Sequence, residues 1–310
     1  TVTLPTQDMI NAISHADLGD DVFNEDPTIN HLEELAAKTF NKAAALFVPS
    51  GTMANLVAVL SHCQRGDEVI LGDQSHTFLY EAGGISAFGG IHSRQLSNQE
   101  DGTIEIEDIK NAIRKDDVHF PPTRLICLEN THNRCFGMPL SVGYTNSVAE
   151  IAKNNSLDIH IDGARIFNAA VASGVSVSDL TEKVDSVSFC LSKGLSAPAG
   201  SLLCGTKEFI SRARRNRKAL GGGMRQAGIL AAAGIVALEN MTGRIIEDHN
   251  NAKSLAEGIS SIEGIIINPD MIKTNIIYFS LDHSKITSEL LTLASQAFLI
   301  KFKKTWISKS

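Results

Sequence analysis

Six short, almost unbroken apolar runs alternate with longer segments of helical periodicity, and this alternation constrains the fold more than any other feature. The runs are Ala44–Val48, Glu68–Leu71, Arg124–Glu129, Leu157–Asp162, Ser186–Leu191 and Ser201–Cys204. Helical patterns lie between and after them, at His31–Phe40, Met53–Cys63, Ile106–Lys115, Thr145–Asn155 and Thr206–Lys218. Strand, helix, strand in repetition predicts an α/β fold with a mostly parallel central sheet flanked by helices. Strands that are apolar along their whole length are those with both faces covered. An Ala-rich helix is expected at Ala227–Glu239 and an amphipathic one at Arg244–Ile259. Two strands, Gly264–Asn268 and Asn275–Leu281, and a helix at Thr287–Ser295 complete the pattern. The expected division is an N-terminal arm and large domain over 1–244, and a small α+β C-terminal domain over 245–310, docked on the large one.

A chain of 310 residues with net charge −7 is an ordinary globular composition. It argues against a general nucleic-acid or membrane-surface binder, both of which need a basic excess. No apolar stretch approaches the ~20 residues of a membrane span. One basic run, Arg212–Lys218, has an ordinary reading as a solvated helix face. The cysteines Cys63, Cys127, Cys135, Cys190 and Cys204 form no CxxC pair and sit mostly in apolar runs. They are expected to be buried free thiols in a reducing compartment rather than a disulfide frame or a metal site. No signal-peptide pattern is present, and the chain starts at Thr1 rather than at methionine. The expected location is cytoplasmic, with a mitochondrial one as the alternative.

Chemistry concentrates at the ends of the apolar runs. Lys193 follows one of them and is flanked by the small residues Ser192, Gly194, Ser196 and Ala197. A nucleophilic lysine needs desolvation and room for a planar partner, and these neighbours leave that room. By itself it reads equally well as a surface lysine at a strand end. Asp162 ends the strand of Asp158-Ile-His-Ile-Asp162 and is followed by Gly163, Ala164 and Arg165. Open α/β sheets bind ligands at that edge. A carboxylate there can hold the pyridine nitrogen of pyridoxal phosphate protonated. The competing reading is a helix N-cap. Gly51 and Thr52 open a helix after a strand, which makes a phosphate cradle or an ordinary capping turn. His76 and His132 each follow a strand and are candidate acid–base groups near neutral pH. The ordinary reading of any one of ten histidines is surface or core packing.

Taken in order, six motifs carry a resemblance. They are Gly19-Asp-Asp-Val-Phe-Asn-Glu-Asp-Pro27, Pro49-Ser-Gly-Thr-Met-Ala-Asn55, Leu128-Glu-Asn-Thr-His132, Ile161-Asp-Gly-Ala-Arg165, Leu191-Ser-Lys-Gly-Leu195 and Gly221-Gly-Gly-Met-Arg-Gln226. The chain resembles the low-specificity L-threonine aldolases, of the beta-eliminating lyase group of pyridoxal-phosphate enzymes with the aspartate aminotransferase type of fold. The resemblance runs from about Thr1 to Leu281. It implies pyridoxal 5'-phosphate carried on Lys193, its pyridine nitrogen on Asp162, its phosphate near Gly51 and Thr52, and His76 stacked on its ring. It also implies that Arg165 lies near the cofactor and the substrate carboxylate, and that His132 and Tyr80 lie near the substrate. Lys218 and Arg225 match positions that reach the phosphate of a neighbouring subunit, so a homodimer or homotetramer with shared active sites is expected. The implied reaction is retro-aldol cleavage of L-threonine or L-allo-threonine to glycine and acetaldehyde. His76, His132 and an ordered water all stand as the base.

Two features depart from the family pattern. The Arg-Ser-Asp that precedes Thr1 in the family is absent. No arginine follows Arg244, and Phe298–Ser310 does not resemble the family segment that supplies a carboxylate-binding arginine. The expectation is an altered or truncated C-terminus. Cofactor binding would persist, and substrate would bind roughly ten- to more than a hundredfold more weakly, since a charge-assisted pair is worth about 1.5–3 kcal/mol or more. Two alternatives follow: an impaired homologue that keeps fold and cofactor, or another pyridoxal-phosphate lyase or aminotransferase. No metal-ligand cluster is legible. No GxGxxG follows the first strand, which argues against a dinucleotide dehydrogenase.

Overall fold

The computed structural model describes residues 2–282 and 284–285. The apolar runs form strands β1 (Ala44–Val48), β2 (Glu68–Gly72), β4 (Thr123–Glu129), β5 (Asp158–Asp162), β6 (Ser186–Cys190) and β7 (Ser201–Gly205). One strand, β3 (His92–Leu96), was not expected from the pattern. Its sequence is polar and partly exposed because it lies at the sheet edge, where only one neighbour covers it. The order across the sheet is β1-β7-β6-β5-β4-β2-β3, and β7 alone runs against the rest. The mostly parallel α/β expectation therefore holds. The consequence for function is geometric: β1, β2, β4, β5 and β6 all deliver their C-terminal ends to one edge.

The helices that cover the sheet are α1 (Gln7–Ser14), α2 (Pro27–Thr39), α3 (Gly51–His62), α4 (His76–Leu79), α5 (Gly84–Ala87), α6 (Ile106–Ala112), α7 (Val142–Asn154), α8 (Ile166–Ser173), α9 (Val177–Thr181), α10 (Lys207–Ala219), α11 (Gly228–Val236) and α12 (Ile245–Ser260). Their starts are written locally. Asp26, Ser50, Ser141 and Thr206 cap α2, α3, α7 and α10 through side-chain oxygens that accept backbone N–H groups. Pro27 sits at the first turn of α2, where its missing N–H costs nothing. The short α1, α4, α5, α8 and α9 were not anticipated, since segments of eight residues or fewer span too few turns for a helical period to be distinguished. The main core gathers Phe40, Phe47, Phe167 and Phe189 with aliphatic residues of the central strands. Phe40 stacks on Phe189 at 4.8 Å between centroids, and Phe167 meets both rings edge-on. All five cysteines are free and buried, as expected.

The helical run Gly228–Ser260 is long and apolar enough to cross a bilayer by length and composition, with a mean hydropathy of 1.4 in its best window. The sequence pattern alone predicts no such stretch. Here Ala231, Ala233 and Ala237 are fully buried in the protein core, while Glu239, Arg244, Glu247 and Asp248 interrupt the run. Burial against α1 and α2 accounts for its apolar character. The expected strands after it shrink to a two-residue antiparallel ladder, β8 (Ile265–Ile266) with β9 (Ser280–Leu281). Between them the chain turns to the loop that links β4 and α7, where Thr274 donates to the Gly137 carbonyl at 2.8 Å. Asn168 of α8 bonds His249 of α12 at 3.1 Å. The helix expected at Thr287–Ser295 and the segment Phe298–Ser310 lie outside the described residues.

Candidate active site

The C-terminal edge of the sheet gathers ionisable groups from consecutive strands. Asp162 ends β5 and is 4% exposed. Its Oδ2 accepts from the Asn55 side-chain amide at 2.8 Å, and its Oδ1 accepts from the Ala164 backbone N–H at 3.1 Å. It is not the cap of α8, whose N-cap position is Arg165. Gly163 is required by close approach: its N–H donates to Ser188 O at 2.9 Å, and a Cβ there would lie 2.6 Å from that same oxygen. The Asp-Gly pair thus seats the end of β5 tightly on β6.

Lys193 follows β6 in a tight turn. Its carbonyl accepts from Ser196 N–H at 2.9 Å and from the Thr3 hydroxyl at 3.0 Å, so the N-terminal arm helps to fix the turn. Its side chain is half-buried. Among the described residues its amine has no ion pair and no hydrogen bond, and its charge is felt at His76.

His76 opens α4 after β2. Its backbone N–H donates to Glu129 Oε2 at 2.7 Å, and its Nδ1 lies 2.9 Å from Glu81 Oε1. The ring is 31% exposed and tilts against Tyr80 at 5.5 Å. Hydrogen bonding to Glu81 raises the proton affinity of His76 above its ordinary value, with Asp162 adding to the effect and burial opposing it. Glu81 is 5% exposed, and burial raises its own pKa. Both directions say the same thing: the pair holds a proton more tightly than either group would in water. Asn55, on α3, donates to Glu81 and to Asp162 at 2.8 Å each, and accepts from Ser188 Oγ at 2.8 Å.

Arg165 follows Asp162 by three residues and occupies the N-cap position of α8. Its Nη1 donates to Asn133 Oδ1 at 3.3 Å, and its buried Nε has no partner. Burial lowers its pKa, and Cys190, Glu129, Tyr278 and Asp162 act against that shift. No carboxylate pairs with it among the described residues. Glu129 ends β4 and clamps two loops, accepting from His76 N–H at 2.7 Å and Asn133 N–H at 2.8 Å. Tyr278, from the C-terminal segment, packs edge-on against Phe136 and reaches the field of Arg165 and Tyr80. Tyr80 accepts from Arg134 at 3.1 Å.

Of the residues singled out in the sequence, Lys193, Asp162, His76, Tyr80 and Arg165 come together here. Gly51 starts α3 beside them. A Cβ on Gly51 would lie 2.8 Å from Cys190 Sγ, so the glycine keeps the helix start against the end of β6. Thr52 is exposed at that helix start. His132 is close but turned inward. It is 1% exposed, its Nδ1 accepts from Cys135 N–H at 3.3 Å, and its Nε2 points to Glu129 at 4.0 Å. Lys218 is exposed, and Arg225 pairs with Asp20 at 2.7 Å. No hydrogen bond or ion pair joins either to the Lys193 group among the described residues. Asn55, Glu81, Glu129 and Tyr278 were missed. Two of them lie inside quoted motifs, and their burial is the signal that sequence does not display.

His76, Glu81 and Asp162 offer ligand atoms within 4.8 Å of one another, the spacing of a possible metal site. Asn55 argues against that use, because its amide N–H groups point at both carboxylates and would face any cation held there. The arrangement fits pyridoxal phosphate instead: an unpaired amine, a fixed buried carboxylate, a partly exposed imidazole, a guanidinium with no carboxylate partner among the described residues and a helix start opened by a glycine share one edge.

Comparison with known proteins shows the family of the chain. The beta-eliminating lyase family matches residues 1–282, and the chain belongs to that family. Low-specificity L-threonine aldolase 1 of Arabidopsis thaliana is 52% identical over 295 residues, which cover 94% of this chain and 82% of the relative. Low specificity L-threonine aldolase of Escherichia coli (strain K12) is 46% identical over 278 residues, covering 90% and 82%. In fold, the Leishmania major threonine aldolase structure superposes with a TM-score of 0.74 at 18% identity, covering 84% of this chain and 77% of that one.

Proposed function

We propose that this chain uses pyridoxal 5'-phosphate to cleave L-threonine or L-allo-threonine to glycine and acetaldehyde. The observation that carries the reading is the convergence of Lys193, Asp162, His76 and Arg165 on one sheet edge, in a chain 46–53% identical to threonine aldolases. Lys193 would hold the cofactor, Asp162 its pyridine nitrogen, and Gly51 and Thr52 its phosphate. When bound, the cofactor supplies an electron sink for the pair released as the substrate's Cα–Cβ bond breaks.

The protein's own part is orientation and proton transfer. Arg165, with an unpaired buried Nε and no carboxylate partner, is free to receive the substrate carboxylate. Asn55 and the Ala164 N–H fix both oxygens of Asp162, so the carboxylate needs no rearrangement when charge develops. His76 is the supported base for the β-hydroxyl proton. With Nδ1 engaged by Glu81, its Nε2 is the nitrogen left for substrate, and its ring has exposed surface. His132 would first have to leave the pocket beneath Gly102. Lys218 and Arg225, exposed and outside this cluster, support a second subunit completing the phosphate site in a dimer or tetramer.

The attachment is tested by incubating the protein with pyridoxal phosphate, reducing with borohydride and mapping the modified peptide by mass. Modification at Lys193 is expected. A modification confined to other lysines would overturn the assignment.

A further inference from the structure

Glu81 is buried, bonded on one oxygen to His76 and Asn55, and unpartnered on the other. A carboxylate taken out of water at this cost asks for a role. It sits in a short continuous chain: His76 Nδ1 to Glu81 Oε1 at 2.9 Å, Glu81 Oε1 to Asn55 Nδ2 at 2.8 Å, and Asn55 Nδ2 to Asp162 Oδ2 at 2.8 Å. Asn55 cannot rotate freely, because its Oδ1 also accepts from Ser188 Oγ at 2.8 Å and His160 Nε2 lies 3.5 Å away.

We propose that Glu81 is the positioning residue for His76: it fixes the imidazole with its Nδ1–H toward the interior and Nε2 toward substrate, and Asn55 ties that dyad to Asp162. This rests on the reading of His76 as the proton acceptor in the pyridoxal-phosphate reaction. The balance is simple. A neutral His76 carries its proton on Nδ1, donated to the Glu81 carboxylate. The β-hydroxyl proton moves to Nε2 as the Cα–Cβ bond breaks, and the imidazolium that forms faces a carboxylate already in contact. The same proton is then available to return to product or solvent. A histidine so placed has one orientation and one tautomer, where an isolated one has several.

The charged groups around His76 are Glu81, after α4; Asp162, at the end of β5; Lys193, after β6; and Glu129, at the end of β4, which holds its backbone N–H. Glu81 and Asp162 favour the imidazolium and Lys193 opposes it. Glu81 is the one in hydrogen-bond contact with the ring. Removing its charge while keeping its shape therefore lowers the pH at which His76 titrates. Since the base must be neutral, the acid limb of kcat against pH moves down with it.

The test uses full-length protein with isotope-labelled histidine, with and without pyridoxal phosphate, and the His76 signals assigned by their loss in His76→Gln. Wild-type protein is expected to show the Nδ1–H tautomer and a titration midpoint above that of an exposed histidine. Glu81→Gln, which can still accept from Nδ1–H, should keep the tautomer, lower the midpoint and shift the acid limb of kcat to lower pH. Glu81→Ala should lose the single tautomer and reduce kcat roughly 10–100-fold, as removal of an orienting outer partner does. An unchanged His76 midpoint in Glu81→Gln, or an Nε2–H tautomer in the wild type, would overturn the proposal, and the second outcome needs no variant to fold. Failure of wild-type protein to take up pyridoxal phosphate would instead sink the cofactor reading, while the titration of unloaded protein still reports on Glu81.

Discussion

Asp162 is held from two directions, by a side-chain amide and by a backbone N–H, and this fixity defines what its loss should do. Asp162→Asn preserves shape and some hydrogen bonding but removes the charge opposite the pyridine nitrogen. The expected outcome is retained cofactor colour with kcat lower by about 10²–10³, the usual cost of one preorganised electrostatic partner. Steady-state kinetics on the loaded variant checks it. A second prediction concerns stability. His160 on β5 is 1% exposed, and burial, with His62 nearby, pushes it down to about 3 from an ordinary 6.5. The unfolded chain takes up this proton below about 6.5 and the folded chain does not until about 3. Stability from this group is therefore whole above the upper value and declines as pH falls toward the lower one. Urea unfolding across that range should show a shallower decline in His160→Gln than in wild type; equal slopes would assign the acid sensitivity elsewhere. Lys193, Asp162 and His76 were legible because each ends or closely follows an apolar strand at a ligand-binding edge. Asn55 was not, because its meaning comes from a contact 107 residues distant, and Glu81 was not, because its burial has no local pattern to announce it.

At the scale of elements, the basic run on α10 shows how context decides a charge. The solvated-face expectation holds for Arg215 and Lys218, which are exposed. It fails for Arg217, which is 3% exposed and donates to Phe47 O and Asp21 Oδ2 at 2.7 Å each. Arg214 pairs with Glu33 at 2.6 Å. The partners lie 196 and 181 residues away, so no local window reveals them. These pairs bolt α10 to the N-terminal segment and to α2, beside β1. Asp26 does a similar job with backbone groups. Fully buried, it accepts from the N–H groups of Gly19 at 3.3 Å, Thr28 at 3.1 Å, Ile29 at 3.0 Å and Gly228 at 2.9 Å. It joins the start of α2 to the start of α11. Asp26→Ala leaves those donors without an acceptor and should cost on the order of 2–4 kcal/mol by chemical denaturation. Asp26→Asn should cost less; equal losses would show that side-chain volume matters there rather than hydrogen bonding.

For the whole molecule, the sheet and its helical cover followed from apolar runs with both faces buried, and the elements that escaped were those without such runs. β3 is a polar edge strand, and the ladder of β8 and β9 is short because the chain between them packs on Gly137 rather than on a neighbour strand. Exposed Val2, Leu4, Leu18 and Phe23 crowd the N-terminal region, and Lys218 and Arg225 lie outside the Lys193 cluster. If subunits share sites, Lys193→Ala and Lys218→Ala proteins, each inactive alone, should regain activity when mixed and allowed to exchange subunits. Absence of any recovery after verified exchange would make each site the work of a single chain. The central claim is that Lys193 carries the chemistry of threonine cleavage. Purified protein supplied with pyridoxal phosphate and L-threonine should release acetaldehyde and glycine in equal amounts, and Lys193→Ala should release neither. A keto acid in place of acetaldehyde, or equal acetaldehyde from Lys193→Ala, would contradict it.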